Sequence, residues 1–124
     1  MEVKKIKGLG GWLVLPILGF ILSLLVCSYY FLDSFQIVEI NWRIFNLLIF
    51  GSGMFVYATA LLLMFHESRH APAWAIMALW HWVIVEGITS SIMEVPGDFS
   101  LILGPIFWTA YFIKSKRVKN TFVN

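Results

Sequence analysis

Trp12 to Leu32 reads WLVLPILGFILSLLVCSYYFL, a run without a single charged side chain. A bilayer core about 30 Å thick needs roughly 20 apolar residues rising about 1.5 Å each. This stretch alone therefore predicts a helix across a membrane. Working outward, three more stretches read the same way. Ile44 to Phe65 (IFNLLIFGSGMFVYATALLLMF) is uncharged between Arg43 and His66. Ala73 to Met93 (AWAIMALWHWVIVEGITSSIM) carries ionisable groups inside the span, His81 and Glu86. Phe99 to Ile113 (FSLILGPIFWTAYFI) is shorter, and reaches across if Asp98 and Lys114 extend their charged heads to the two interfaces. In lipid an unpaired backbone group has no water to turn to, so all four are expected as helices. The ten-residue alternation of a transmembrane barrel is absent.

Composition agrees. The chain has 124 residues, 60% hydrophobic, 17% aromatic and only 13% charged. A soluble domain of this length carries about a quarter charged residues and cannot hide so much apolar surface. A water-soluble enzyme, a disordered tail and a nucleic-acid binder are all excluded on that ground. The single cysteine, Cys27, excludes an internal disulfide and with it a secreted disulfide scaffold. Lys4, Lys5 and Lys7 resemble the basic start of a signal peptide. The apolar run that follows is too long for one and lacks a small-x-small cleavage site, so it reads as a retained helix.

Lys and Arg set the orientation. Lys4, Lys5, Lys7, Arg69, Lys114, Lys116, Arg117 and Lys119 all fall on one side of the predicted membrane, and only Arg43 on the other. The expectation is an all-α, integral-membrane, antiparallel four-helix bundle with both termini cytoplasmic. Its helices run over about 12–32, 44–65, 73–93 and 99–113, followed by a basic tail at 114–124. Val95-Pro96-Gly97-Asp98 reads as the last outer turn, with Ser100 as a helix cap.

The two ends carry a resemblance. KGLGGWLVLPILG (Lys7 to Gly19) and YFIKSKRVKNTFV (Tyr111 to Val123) together resemble the DUF2569 family, small bacterial membrane proteins with four predicted helices. The Gly-Gly-Trp-Leu start and the Ser-x-Arg-Val-Lys-x-Thr-Phe end are the distinctive parts. The resemblance implies a bacterial inner membrane and implies no particular chemistry. The short outer connections depart from the family and leave little room for a function housed outside.

Several residues are candidates for function. Trp12 is expected to anchor at the interface, and Lys114, Lys116, Arg117 and Lys119 to meet anionic lipid headgroups. Val118 and Phe122 are four apart, so a helical tail would lay one apolar side on the membrane. His66-Glu67-Ser68-Arg69-His70 spells the H-E-x-x-H of a zinc protease, whose histidines share a face when helical. Arg69 between the histidines, Pro72 just after them and the lack of a nearby third ligand argue for an ordinary polar loop. No metal or cofactor is therefore expected. An ionised Glu86 near mid-membrane costs about 3 kcal/mol, roughly what the apolar residues of its helix return. Glu86 is thus expected to turn toward other helices, sharing a face with Trp82, Thr89 and Ser90, with Ser23 and Ser52 at matching depth. His81 lies about 140° around the helix, too far to pair with it. Gly19 with Ser23, Gly87 with Ser91, and Gly51-Ser52-Gly53 allow close helix approach.

The expected role is non-enzymatic: a scaffold or accessory subunit packing with itself or with larger membrane proteins, in contact with membrane lipids and not with nucleic acid. The alternative is an oligomeric proton-coupled transporter of small molecules using Glu86.

Overall fold

The computed structural model describes residues 10–94, 96 and 102–123, and among these every regular element is helical. The elements are α1 (Val14–Asp33), α2 (Ile40–Phe65), α3 (Ala71–Met93), α4 (Leu103–Lys114) and α5 (Lys116–Thr121), with single 3-10 turns before and after α1. α1 packs along α2, α2 along α3, and α3 along α4.

Three of these elements are long and apolar enough to cross a membrane: Gly11–Gln36 (α1 with its flanking turns), Ile40–Phe65 and Ala71–Met93. No more than 28% of the most apolar window of any of them is buried inside the chain. The rest of that apolar surface needs a lipid environment or a protein partner. α4 covers about 18 Å at 1.5 Å per residue, which is short of a bilayer core. Residues 99–101, expected as its first turn, and most of the expected turn at 95–98 lie outside the described residues, as does Ser100.

Two helices start earlier than the hydropathy pattern suggests, for local reasons. α2 begins at Ile40 instead of Ile44, because the Glu39 carboxylate accepts hydrogen bonds from the amides of Asn41 (3.0 Å) and Trp42 (2.8 Å). That satisfies two donors at the positive end of the helix. Arg43 is thereby drawn into the first turn, and its Nε donates to the Ile37 carbonyl at 2.8 Å. α3 begins at Ala71, with Pro72 in its first turn. Pro72, which ends the H-E-x-x-H stretch on its C-terminal side, opens α3, because in the first turn of a helix its missing N–H costs nothing.

The tail corrects another expectation. Ser115 is extended (φ −67°, ψ 129°), which breaks α4 from α5, and its hydroxyl accepts from the Val118 amide at 3.4 Å. Val118, Thr121 and Phe122 are buried, and the two apolar ones join the same cluster as Leu13, Ile17 and Phe112. The apolar side of the tail therefore faces the protein and not the membrane. There it packs with residues of the α1 entry and of α4.

Candidate functional site: an intramembrane cleft and the polar crossing behind it

At Gly53, side chains of α1 and α3 press on the α2 backbone. A Cβ on Gly53 would stand 2.7 Å from the Cys27 sulfur of α1 and 3.1 Å from His81 Cε1 of α3. Glycine here is what lets three helices meet at one point. Cys27 is wholly buried, and the Tyr57 ring, one turn along α2, packs on Phe20 (5.7 Å between centroids) and on His81 (5.8 Å). Ser23 and Trp82 lie beside the Tyr57 side chain.

The hydrogens at this crossing can be assigned. The Ser52 hydroxyl donates to the Ile49 carbonyl at 2.8 Å and lies 3.1 Å from His81 Nε2. With its one hydrogen committed, Ser52 can only accept from the ring. In the neutral imidazole Nε2 therefore carries the hydrogen, and the buried Nδ1, which has no partner among the described residues, presents a bare lone pair. A bare acceptor is the less costly choice than a buried N–H without a partner.

On the other side of Tyr57 a cleft of about 300 Å³ opens between α1, α3 and α4. Gly19 and Ser23 line its α1 wall, Gly104 and Pro105 its α4 wall, and Ala78 and Trp82 its α3 floor. Among the described residues, nothing outside their own helices lies within 4 Å of where a side chain would begin at Gly19 or Gly104. α4 is held against α3 by a bond from Trp80 Nε1 to Thr109 Oγ1 at 2.8 Å, worth more in an apolar surround than at a wet surface. The rings of Trp80, His81 and Trp82 serve three different contacts, with Thr109, Ser52 and the Phe50 ring.

The predicted residues fall into separate places. Glu86 is half-buried and accepts from its own helix, from Ser90 Oγ at 3.2 Å. It follows the cleft-lining Trp82 and Val83 by one helical turn and so continues their face. Ser52, expected at the depth of Glu86, bonds to His81 instead, and Thr109 bonds to Trp80. His81 and Glu86 are not brought together. His66, Glu67 and His70 lie in the connection after α2 ends at Phe65. Glu67 is left-handed (φ 52°), so the helical alignment that H-E-x-x-H requires is not formed. Among the described residues no three His, Cys, Asp or Glu side chains gather as a metal site.

At the end of the molecule, Arg117 lies across the Gly10–Gly11 backbone. A Cβ on Gly11 would be 3.3 Å from its Nε, and one on Gly10 would be 3.6 Å from a guanidinium nitrogen. Gly11 is also left-handed (φ 60°), a conformation that strains other residues. The described parts of the two stretches that carry the family resemblance, at opposite ends of the sequence, thus meet in the fold. A family model described as a protein of unknown function, DUF2569, matches residues 6–123, nearly the whole chain. The chain belongs to the DUF2569 family. No curated protein and no solved structure matches it. For this DUF2569 chain, the crossing at Gly53, the outline of the cleft and the glycine–arginine contact were not legible in the sequence. The small residues at 19, 23, 51–53, 87 and 91 hinted at close helix approach without saying which positions would be filled.

Proposed function

We propose that the protein is a non-enzymatic scaffold or accessory subunit of the bacterial inner membrane, whose cleft between α1 and α4 receives a transmembrane helix of a partner protein. In this reading α1 to α4 form an antiparallel bundle of four spans with both termini cytoplasmic. The short connections after α1 and α2 support it, as do the meeting of residues 10–11 with Arg117 and the bias of Lys and Arg to that side.

The observation that carries the reading is the pair of open glycines, Gly19 and Gly104, on facing walls of an apolar cleft. Small residues let a helix backbone approach closely, which in lipid is a main source of helix association. The test is native mass spectrometry of the protein drawn gently from its own membrane, beside Gly19→Leu. A stoichiometric membrane-protein subunit is expected with the native chain and lost with Gly19→Leu, at an unchanged melting temperature. Retention of the subunit by Gly19→Leu overturns the assignment of the cleft.

A second reading, an oligomeric proton-coupled transporter, draws on Glu86 continuing the face of Trp82 and Val83 toward the outer end of the cleft. It requires a homo-oligomer without a foreign subunit, and pH-dependent proton flux in vesicles that Glu86→Gln abolishes.

A further inference from the structure

Leu79, Trp82 and Val83 line the α3 side of the cleft. Glu86 follows Trp82 and Val83 by one turn and Leu79 by two, so all four share one side of the helix. It is half-buried and lies about two turns, or about 10 Å, inside the Met93 end of a helix long and apolar enough to span a membrane. A carboxylate at that depth is among the most expensive side chains a span can carry, and it is kept where something offsets its charge. Within this chain little does. Among the described residues the Ser90 hydroxyl, one turn along the same helix, is the donor that reaches it, at 3.2 Å. Residues 95–101, which join α3 to α4, contain no Lys or Arg. We infer that the partner helix seated in the cleft carries one basic residue, lysine or arginine, paired with the Glu86 carboxylate inside the membrane, an assignment that rests on the cleft being that helix's seat.

Two features favour a cation over a neutral side chain. The first is the donor count. An ionised carboxylate has two oxygens and no hydrogen to give, and Ser90 occupies one of those oxygens, Oε1. What the group lacks is donors and positive charge, and an ammonium or a guanidinium supplies both. The second is reach. The cleft ends about one turn short of Glu86 along α3, so a helix backbone seated between Gly19 and Gly104 lies below the carboxylate. Lysine and arginine have long apolar stems that run along apolar surface while the charged head extends away from it. Along the Trp82 and Val83 side chains such a stem spans that turn.

The experiment measures energy transfer between the labelled full-length chain and synthetic transmembrane helices in phosphatidylcholine vesicles. The helices are leucine–alanine spans of roughly 20 residues with lysine, glutamine or leucine about 10 Å from one end. With the native chain the lysine helix is expected to associate about tenfold more strongly than the leucine helix, toward the upper end for polar contacts between helices in lipid. Glu86→Gln is expected to erase that difference. The three helices are compared on the unaltered chain, so the result does not depend on how a variant folds. Equal association of the lysine and leucine helices overturns the pairing and leaves the cleft as the seat. A glutamine helix that matches the lysine one shows a neutral hydrogen-bonding partner and overturns it as well, as does a lysine preference that survives Glu86→Gln. Gly19→Leu is expected to block all three helices. If it blocks none, the cleft is not the seat, and the pairing falls with it.

Discussion

Gly53 shows how much one missing side chain decides in this chain. A methyl group there meets the Cys27 sulfur at 2.7 Å and the His81 ring at 3.1 Å, and both neighbours are held by further contacts. Neither contact is the free end of a long flexible chain, so relief requires α1 or α3 to move away from α2. Gly53→Ala is therefore expected to destabilise the fold by about 1–3 kcal/mol, the usual cost of overfilling a close-packed site. Thermal denaturation in detergent reads it as a lower melting temperature. Gly19→Ala, with nothing outside its own helix within 4 Å of the new methyl among the described residues, serves as the tolerated control. The sequence marks both positions only as small residues in apolar runs. Which one is filled by neighbours and which is open depends on where α1 and α3 lie, and no local pattern encodes that.

At the scale of the element, helix ends are set by a few polar groups and not by hydropathy. The four residues by which α2 extends beyond its apolar run depend on the Glu39 carboxylate, which takes two amide hydrogens. Glu39→Ala is expected to fray that first turn at a cost of about 1 kcal/mol. Hydrogen exchange at the Asn41 and Trp42 amides measures it, with faster exchange at those two and little change from Phe45 onward. The apolar run of α2 was legible in the sequence, but its start was not, because a glutamate before a hydrophobic stretch is as often a loop residue as a cap. The tail errs in the opposite sense. The spacing of Val118 and Phe122 correctly suggested a helix with one apolar side, yet that side is buried against the protein, because the entry to α1 lies beneath it.

For the whole molecule, the burial of Cys27 makes the topology directly measurable. The native thiol is fully buried and is expected to stay silent to maleimides until the protein unfolds. Single cysteines can then be introduced without removing it. Val38→Cys, at a position 92% exposed between α1 and α2, is expected to label with a membrane-impermeant maleimide from outside intact cells. Lys119→Cys is expected to label only after the membrane is opened. Labelling of Lys119→Cys in intact cells would reverse the orientation argued from Lys and Arg.

What the sequence determined by itself is the solvent of this protein and its helical character. A backbone in hydrocarbon must bond to itself, and runs such as Trp12 to Leu32 leave no other structure able to cross. Those constraints are local in the chain, so they can be read one segment at a time. The meeting of Cys27, Gly53 and His81, the cleft between α1 and α4, and the closure of residues 10–11 beneath Arg117 were decided only by tertiary structure. Each depends on which face one helix turns to another. In a chain that is apolar on nearly every side, hydrophobicity no longer distinguishes an inward face from an outward one, and packing and a few hydrogen bonds make that choice instead.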